Sequence, residues 1–337
     1  MKTERYNRLI QLEGISHEGL EKLKQTRIAI VGCGTLGSIY SLSVVRLGVG
    51  FVRLIDRDIV EEHNLSTQLL FQEDDLDVIS PKAIIAKKRL ESINPYCEVE
   101  ACPSDLTYKN AETLLGNVDL IFDATDNFET RFLINDFSLK YGIPWIYTGV
   151  VGYRGVTMLI QPDRSACLRC MMEEPPETGE LPTCETEGVW IAAAEVIAGV
   201  GLTEAVKLTT EREVDSTLQE LDLDTGKWTK IRVNKNPDCP ACGNHDFSFL
   251  DGHIQNKATS LCGRDVVHIE SQQDENLNLL AIAERLQSSY TVAVSDDLLK
   301  LNIPEGEIFL FRDGRAFVKG TSDPARARAL YNRYISM

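Results

Sequence analysis

The sequence predicts an α/β protein whose first half forms a doubly wound, mainly parallel sheet. Short apolar runs rich in Ile and Val recur along this half, and segments with helical spacing separate them. A glycine-rich turn, Gly32–Gly37, follows the first apolar run and opens the next helical segment. Because strands that alternate with helices pair in parallel and carry helices on both faces, we expect a Rossmann-like sheet.

The elements of this half are predicted in a regular order. Strands are expected at residues 27–32, 51–56, 98–102, 118–124 and 145–150. Helices are expected at residues 35–48, 80–90, 111–115 and 129–141. In the second of these helices Ser80 can cap the N-terminus, and Pro81 suits the first helical position because no N–H is needed there.

The pattern changes beyond Gly152, where antiparallel strands are expected to extend the sheet. These strands are predicted at residues 156–160, 218–223 and 228–233, and a turn joins the last two. The Pro- and Glu-rich segment 173–182 is predicted to be a crossover loop. The apolar stretch 190–208 contains three charged residues, which a membrane span would tolerate poorly, so we expect a buried helix.

A small α+β domain is expected at the C-terminal end of the chain. Polar sequence at residues 243–259 indicates a linker, and the predicted domains are 1–250 and 251–337. In the second domain, helices are expected at residues 276–286 and 323–334, and strands at residues 307–311 and 316–319. Its arginines make the tail locally basic, which suits either a partner contact or a solvated helix, and its role is not predicted.

Composition and charge limit the classes of function. The chain has 337 residues, of which 26% are charged, and a net charge of -16. This acidic balance disfavours nucleic acid as a partner, because phosphate backbones need basic surfaces. The first residues contain no apolar signal region, and we expect no membrane partner. The nine cysteines, an odd number, suit a reducing compartment, so we expect a cytoplasmic protein.

Two Cys-x-x-Cys pairs in the second half indicate a metal site. Cys167 and Cys170 form one pair, and Cys239 and Cys242 form the other. This spacing lets both sulfurs of a pair reach one ion, and two such pairs make a closed tetrahedral zinc site. Because a closed site has no open coordination position, we expect structural zinc knuckles that take no part in chemistry.

The glycine-rich turn predicts nucleotide binding. Gly32, Gly34 and Gly37 permit a tight turn and close packing, and the helix after them directs its N-terminus at phosphate groups. Asp56 ends the next predicted strand, where a carboxylate can accept hydrogen bonds from ribose hydroxyls. A turn with a purely structural role is the alternative, and these residues do not distinguish a dinucleotide from ATP.

Further polar residues lie where strands of the sheet are predicted to end, and together they favour ATP. Asn64 and Gln68 follow the second strand, Lys82 lies in the first turn of a helix, and Asp126 follows the fourth strand. Since the carboxyl ends of parallel strands line one crevice, these side chains can converge on one nucleotide. Lys82 can neutralise phosphate charge, and Asp126 can hold Mg2+, which prefers oxygen ligands. A solvated Lys82 and an Asp126 that only caps a helix are the structural alternatives.

The motifs also occur in a specific order along the chain. They are Arg5–Arg8, Gly32–Gly37, Asn64 with Leu65, Pro81 with Lys82, Ile93–Pro95, Asp123–Asn127 and the four cysteines of the knuckles. This series resembles the ThiF/MoeB/HesA family of adenylyltransferases, the relatives of ubiquitin-activating enzymes. The series is far more specific than any one of its motifs.

The resemblance implies roles for several residues. Asp56 would hold the ribose of ATP, Asn64 and Lys82 would contact its phosphates, and Asp126 would serve Mg2+. Arg8 would reach into the active site of a partner subunit, which implies an obligatory homodimer.

Two cysteines outside the knuckles bear on the chemistry. Cys184 lies on the predicted crossover loop, where some members of the family form an acyl thioester or a persulfide-linked intermediate. A loop cysteine near a helix start can be a reactive thiolate, and an inert exposed thiol is the alternative. Cys262 weakly resembles a sulfurtransferase loop, but the surrounding motif is missing, so we expect no catalysis there.

One position departs from the family pattern. The family has Asn-Leu-x-Arg-Gln, whose arginine helps to bind triphosphate, whereas this chain has Thr67 in place of that arginine. Either Arg8, Lys82 and Mg2+ suffice, or another basic group substitutes, or activity is lost. We expect activity to survive, because the other site positions are present.

The resemblance therefore implies ATP-dependent adenylation of the C-terminal glycine carboxylate of a small β-grasp carrier protein that ends in Gly-Gly, similar to ThiS or MoaD. A sulfurtransferase or cysteine desulfurase could then supply sulfur for a thiocarboxylate. Three alternatives stay open: an activator for ubiquitin-like conjugation with a thioester on Cys184, a non-catalytic scaffold suggested by Thr67, and an NAD-dependent oxidoreductase. The oxidoreductase would use the glycine turn and Asp56 but would leave Lys82 and Asp126 unexplained.

Overall fold

The structure is a computed structural model, and it describes residues 3–177, 179–254, 265–269 and 277–335. These residues form two compact units. The first contains residues up to 73 and residues 82–254, and the second contains residues 74–81 and the described residues from 265 onward. The domain boundary at residue 250 stays a prediction.

The first unit is built on an eight-stranded sheet with the order β3-β2-β1-β4-β5-β6-β7-β8. Its strands are β1 (Arg27–Val31), β2 (Phe51–Ile55), β3 (Glu98–Cys102), β4 (Leu120–Asp123), β5 (Trp145–Val151), β6 (Arg154–Ile160), β7 (Leu218–Asp222) and β8 (Lys227–Ile231). Strands β3, β2, β1, β4 and β5 pair in parallel, and β6, β7 and β8 are added antiparallel. The predicted parallel sheet with an antiparallel extension is confirmed.

The helices of this unit cover both faces of the sheet. They are α1 (Ser16–Gln25), α2 (Thr35–Leu47), α3 (Lys82–Ile93), α4 (Ala111–Leu115), α5 (Phe128–Tyr141), α6 (Leu168–Met171), α7 (Cys184–Glu187) and α8 (Ile191–Thr209). On β1, Ile28 and Ile30 belong to a buried cluster with residues of α2, α3 and α8. Ala29 and Val31 belong to a second cluster with residues of α4 and α5 and with the Cys-x-x-Cys segments. Because successive strand residues point to opposite faces, these two clusters show that the sheet is doubly wound.

Some boundaries differ from those predicted. Helix α3 begins at Lys82, so Pro81 lies just before the helix instead of at its first position. Cys184, which was predicted to lie on the crossover loop, is instead the first residue of α7, a four-residue helix whose N-terminus Thr183 caps. The sequence pattern did not predict α1, which has two lysines in its last turn and is largely exposed outside Gly19, Leu20 and Leu23.

Helix α8 is the buried helix predicted from the apolar stretch 190–208. Among its charged residues, Glu204 is only 6% exposed; its carboxylate accepts a hydrogen bond from Lys207 Nζ at 2.7 Å and another from the Asp215 N–H at 2.7 Å. These bonds compensate the burial of the carboxylate. In the part of the chain that the structure describes, no helix combines the length and apolar character that crossing a membrane requires.

The second unit has a five-stranded antiparallel sheet with the order β10-β11-β12-β13-β9. Its elements are β9 (Val266–Ile269), α9 (Leu279–Leu286), β10 (Thr291–Val294), β11 (Leu298–Ile303), β12 (Gly306–Phe311), β13 (Ala316–Lys319) and α10 (Pro324–Tyr334). Leu286 of α9 and Leu330 of α10 pack in one buried cluster with Leu301 and Ile308 of the sheet. The sequence pattern missed β9, β10 and β11. It found β12 and β13, which are equally short, because they flank an Asp-Gly turn at residues 312–315. Cys262 and the predicted linker beyond residue 254 lie outside the described residues.

Candidate active site

The glycine turn between β1 and α2 has two glycines that the fold itself requires. Gly32 has φ +94°, and a Cβ atom there would lie 2.6 Å from the Ala124 carbonyl oxygen. A Cβ atom on Gly37 would lie 1.9 Å from the carbonyl oxygen of Gly32. No L side chain is compatible with such distances, so both glycines close the turn against β4 and α2.

Gly34 differs from these two glycines because the protein leaves space in front of it. Its φ of -70° suits any residue, and the only described atom near an added Cβ would be Gln68 Nε2, at 3.9 Å. A side chain at this position would therefore fill the space before the N-terminus of α2 without clashing with protein. This is the arrangement expected where a phosphate group approaches the backbone.

Asp56 lies directly beside the turn, after the end of β2. Its Oδ2 accepts a hydrogen bond from the Cys33 N–H at 2.6 Å, and its Oδ1 accepts one from the Asp58 N–H at 2.7 Å. Burial raises the pKa of this carboxyl, and the charge of Asp58 raises it further, while Lys82 and the two amides act in the opposite direction. These two hydrogen bonds from backbone N–H groups fix the carboxylate next to the glycine turn.

Lys82 lies beside Asp58, a residue that the sequence analysis missed, near the end of β2. Lys82 is 5% exposed, its N–H donates to the Asp58 carbonyl at 2.8 Å, and its Nζ lies 3.6 Å from Asp58 Oδ2. A lysine is rarely so buried without a charged partner, which rules out the solvated alternative for this side chain. The spacing Asp56-x-Asp58 was the signal that could have found the pair.

The segment after β2 brings Asn64 and Gln68 toward the turn. Asn64 is 4% exposed, its Oδ1 accepts a hydrogen bond from the Glu61 N–H at 3.0 Å, and its carbonyl accepts one from the Gln68 N–H at 2.9 Å. Gln68 Oε1 is buried and has no hydrogen-bond partner among the residues that the structure describes. A buried amide oxygen without a donor is costly, so this atom fits a site that a polar ligand completes.

Thr67 occupies the position where the family pattern has arginine. Its Oγ1 accepts a hydrogen bond from Thr35 Oγ1 at 3.0 Å, which joins this segment to the first residue of α2. The hydroxyl pair thus tightens the wall of the crevice, but it supplies no positive charge there.

The loop after β4 is held by a buried ion pair. Arg131 Nε lies 3.2 Å from Asp123 Oδ2, and Arg131 Nη2 donates to the carbonyl oxygens of Thr125 at 2.8 Å and Thr148 at 3.3 Å. Asp126, next to Thr125, is exposed and lies within electrostatic range of Arg131. Asp126 is therefore carried on a fixed turn, with its carboxylate open to solvent and to a cation.

Cys184 lies at the carboxyl end of β5, the strand next to β4. Its Sγ donates to the Val150 carbonyl at 3.3 Å, and its side chain is half-buried. The preceding residue, Thr183, caps α7 by accepting a hydrogen bond from the Thr186 N–H. Cys184 also contributes to the electrostatic environment of Arg131. The structure thus brings Cys184 to the same edge of the sheet as the glycine turn, Asp56 and Asp126.

Arg8 is the predicted site residue that the structure does not bring to the crevice. It is exposed, and it has no hydrogen bond or ion pair among the described residues. Its segment is nevertheless well anchored: Tyr6 is 2% exposed, and its hydroxyl accepts a hydrogen bond from Asn94 Nδ2 at 2.9 Å. Arg5 Nη1 donates to the Ile93 carbonyl at 2.9 Å. The anchor holds Arg8 on the surface of the subunit.

The four cysteines of the two Cys-x-x-Cys pairs come together in one cluster that could hold a metal ion. Their sulfur atoms all lie within 4.8 Å of one another, with 3.6 Å between Cys167 and Cys239 and 3.4 Å between Cys170 and Cys242. A tetrahedral site with Zn–S bonds of about 2.3 Å requires sulfurs about 3.8 Å apart. Cys167 and Cys239 are fully buried, so the cluster is part of the core on that face of the sheet.

Comparison with known proteins identifies the family. The model of the ThiF family matches residues 6–241, which is more than half of the chain. The chain belongs to the ThiF family. In this ThiF-family chain the match covers the glycine turn, the ends of β2 and β4, and three of the four clustered cysteines, Cys167, Cys170 and Cys239.

Two curated relatives and one solved structure illustrate the similarity. The sulfur carrier protein ThiS adenylyltransferase of Bacillus subtilis is 39% identical over 99% of this chain and 99% of its own length. The sulfur carrier protein adenylyltransferase of Thermus thermophilus is 36% identical over 71% of this chain and 90% of its own. The crystal structure of E. coli MccB with succinimide has a TM-score of 0.63 at 23% identity and covers 72% of this chain and 75% of that chain, which shows the shared fold.

Proposed function

We propose that this ThiF-family chain uses ATP to adenylate the C-terminal glycine carboxylate of a small sulfur-carrier protein with a β-grasp fold and a Gly-Gly end. The similarity to the Bacillus subtilis enzyme over 99% of both chains is the observation that carries the proposal. The crevice supports it, because Gly34, Asp56, Lys82 and Asp126 provide a phosphate turn, a ribose acceptor, a buried cation and an open carboxylate. The relatives do not favour conjugation, a scaffold or an oxidoreductase.

The proposed reaction forms an acyl-adenylate. A carboxylate oxygen of the carrier's terminal glycine attacks the α-phosphorus of ATP, the bond from that phosphorus to the oxygen bridging to the β-phosphorus breaks, and pyrophosphate leaves. The turn at Gly34 and the N-terminus of α2 bind phosphate oxygens, while the Lys82 ammonium, released from Asp58, neutralises charge on the departing group. Asp56 orients the ribose, and the Asn64 and Gln68 amides complete the binding wall. Alignment of the two reacting groups and stabilisation of spread negative charge provide most of the catalysis.

The two metals have separate roles in this proposal. Asp126 would hold Mg2+, which supplies positive charge to the phosphates, and its exposed carboxylate on a fixed turn fits that use. Zn2+ would be held in a closed structural site by the four thiolates of Cys167, Cys170, Cys239 and Cys242. A set of four sulfur donors is typical of structural zinc sites.

Partners follow from the same proposal. A homodimer would place Arg8 of one subunit near the crevice of the other, and its exposed position on an anchored segment supports this use. A sulfurtransferase or cysteine desulfurase would deliver persulfide sulfur. The terminal sulfur of the persulfide attacks the acyl carbon of the adenylate and AMP leaves, which gives an acyl disulfide. A second protein thiol then cleaves the S–S bond, so that the thiocarboxylate is released and the two protein sulfurs are left as a disulfide. We place these reactions in the cytoplasm, where thiols stay reduced.

Carrier-dependent exchange of pyrophosphate into ATP tests the function. The full chain, shown to be folded and metal-loaded, would be assayed with Mg2+ and a panel of ThiS-, MoaD- and ubiquitin-like carriers that end in Gly-Gly. Exchange that depends on a carrier would establish adenylation, name the carrier and show that Thr67 is tolerated. Absence of exchange with every carrier would overturn the proposal in favour of a scaffold.

Replacement of Cys184 by serine separates adenylation from later sulfur chemistry. We expect C184S to retain exchange within about twofold of the unmodified chain, because the thiol takes no part in attack on the α-phosphorus and serine keeps the size of the side chain. Any carrier–enzyme adduct that reductant releases on a denaturing gel should disappear in C184S. Loss of exchange in a folded C184S variant would place Cys184 in the adenylation step itself. A Cys102→Ser variant, at a half-buried cysteine on β3, provides the control.

A further inference from the structure

Arg57 and Asp105 form an ion pair across the ends of two neighbouring strands. Arg57 follows Asp56 at the end of β2, and its Nη1 lies 2.7 Å from Oδ2 of Asp105, which follows β3. Arg57 Nε also lies 3.7 Å from Asp58 Oδ1. The side chains are 27% and 31% exposed, so the guanidinium is fixed at its edge while part of its surface faces solvent.

The loop that carries Asp105 is itself held in place. Asn110 Nδ2 donates to the Asp105 carbonyl at 2.8 Å, and Asn110 Oδ1 accepts a hydrogen bond from the Thr107 N–H at 2.8 Å. Arg57 therefore has a defined orientation. A fixed planar cation at the carboxyl end of a parallel sheet is placed to meet a ligand.

The order of the strands shows which part of a nucleotide would reach Arg57. The glycine turn follows β1, Asp56 follows β2, and Asp105 follows β3, with the three strands adjacent in the sheet. Neighbouring strands are about 4.8 Å apart. A nucleotide with its phosphates at Gly34 and its ribose at Asp56 would therefore extend toward β3, which would bring its base near Arg57.

The local charge favours a base over a phosphate at this position. The Arg57 guanidinium already contacts the carboxylates of Asp105 and Asp58, and Asp58 also lies 3.6 Å from Lys82 Nζ, so these four side chains together carry no net charge. A guanidinium whose charge is offset in this way attracts a triphosphate little, but it can stack on an uncharged aromatic ring, because arginine stacks through its plane while its edge stays hydrogen-bonded.

We propose that Arg57, held by Asp105, is the base-binding residue of this site and stacks on the adenine ring of ATP. The inference rests on the proposed use of ATP and adds to it the residue that recognises the base. Neither the glycine turn nor Lys82 can serve this purpose, because both act on phosphate.

Nucleotide binding to the full chain tests the assignment. ATP and inorganic tripolyphosphate would be titrated in the presence of Mg2+ against the unmodified protein and the R57A, R57K and D105N variants. We expect R57A and R57K to weaken ATP binding about tenfold, which is the effect of losing one stacking contact of about 1.4 kcal/mol. Tripolyphosphate, which has no base, should bind all variants within about twofold of the unmodified chain. D105N, which frees the guanidinium, should weaken ATP binding by a smaller factor.

Arg333 provides a matched control, because its Nη1 lies 3.2 Å from Glu305 Oε1 and its side chain is 61% exposed in the second unit. R333A should bind both ligands as the unmodified chain does.

Equal weakening of ATP and tripolyphosphate binding in R57A and R57K would show that Arg57 binds phosphate, and this would overturn the proposal. Unchanged ATP binding in these variants would also overturn it. If the binding results are as expected but no carrier supports exchange, only the adenylation proposal fails. Absence of ATP binding to the unmodified chain would overturn both.

Discussion

Replacement of Lys82 by alanine is expected to lower carrier-dependent pyrophosphate exchange at least about 100-fold, the usual loss when one fixed charge-stabilising group is removed from a reaction centre. Lys82 is 5% exposed and its Nζ lies 3.6 Å from Asp58 Oδ2, so contacts within the protein hold its ammonium beside the end of β2. The fold should survive, because the Asp58 side chain is 42% exposed and still lies 3.7 Å from Arg57 Nε when Lys82 is lost. Exchange kinetics and thermal melting of K82A would be measured together.

Lys230 offers a matched control for Lys82, since its Nζ contacts Asp215 at 2.8 Å and its side chain is 57% exposed on β8. K230A should exchange pyrophosphate at the rate of the unmodified chain.

D126A should lose as much exchange activity as K82A does. Raising the Mg2+ concentration should restore part of the activity in D126A but not in K82A. Full exchange in a folded K82A variant would show that the phosphate site lies elsewhere.

Removal of the proposed zinc from the cysteine cluster is expected to lower the melting temperature by more than about 10 °C, because structural zinc contributes folding free energy directly. Cys167 and Cys239 are fully buried in the same cluster as Phe249, so an empty site would leave thiols and a cavity within the core. The measurements are metal content by elemental analysis and thermal melting, for the chain with and without a chelator and for C239A.

The control for C239A is Cys97→Ala, which removes a buried cysteine that lies outside the metal cluster. C97A should keep its metal and melt within a few degrees of the unmodified chain, since a single small side chain leaves a small cavity; about 1 kcal/mol is typical of such changes. A chain that binds one zinc per subunit yet melts at the same temperature after complete removal of the ion would contradict the structural role.

The fold of the first unit could be predicted because its signals are local. The alternation of apolar strands with helices, the glycine turn and the switch to antiparallel strands beyond Gly152 each lie within a few residues, and the observed sheet follows them. The two Cys-x-x-Cys pairs are local in the same sense, because each spacing alone brings two sulfurs to one ion. In the second unit the predicted β12, β13 and α10 are present, but the short strands β9–β11 give no such signal.

The contacts that complete the candidate site were decided by tertiary structure. Arg57 and Asp105 are 48 positions apart, and Tyr6 and Asn94 are 88 positions apart, so no spacing rule connects them. The residue types at the strand ends, such as Asp56, Lys82 and Asp126, could be read as candidates from sequence. The adjacency of strands decides which side chains are buried together. It therefore also decides that Asp58 contacts Lys82 and that Asp105 orients Arg57. Strands become adjacent only when the sheet forms. The distances between charges on distant segments therefore depend on how those segments pack together.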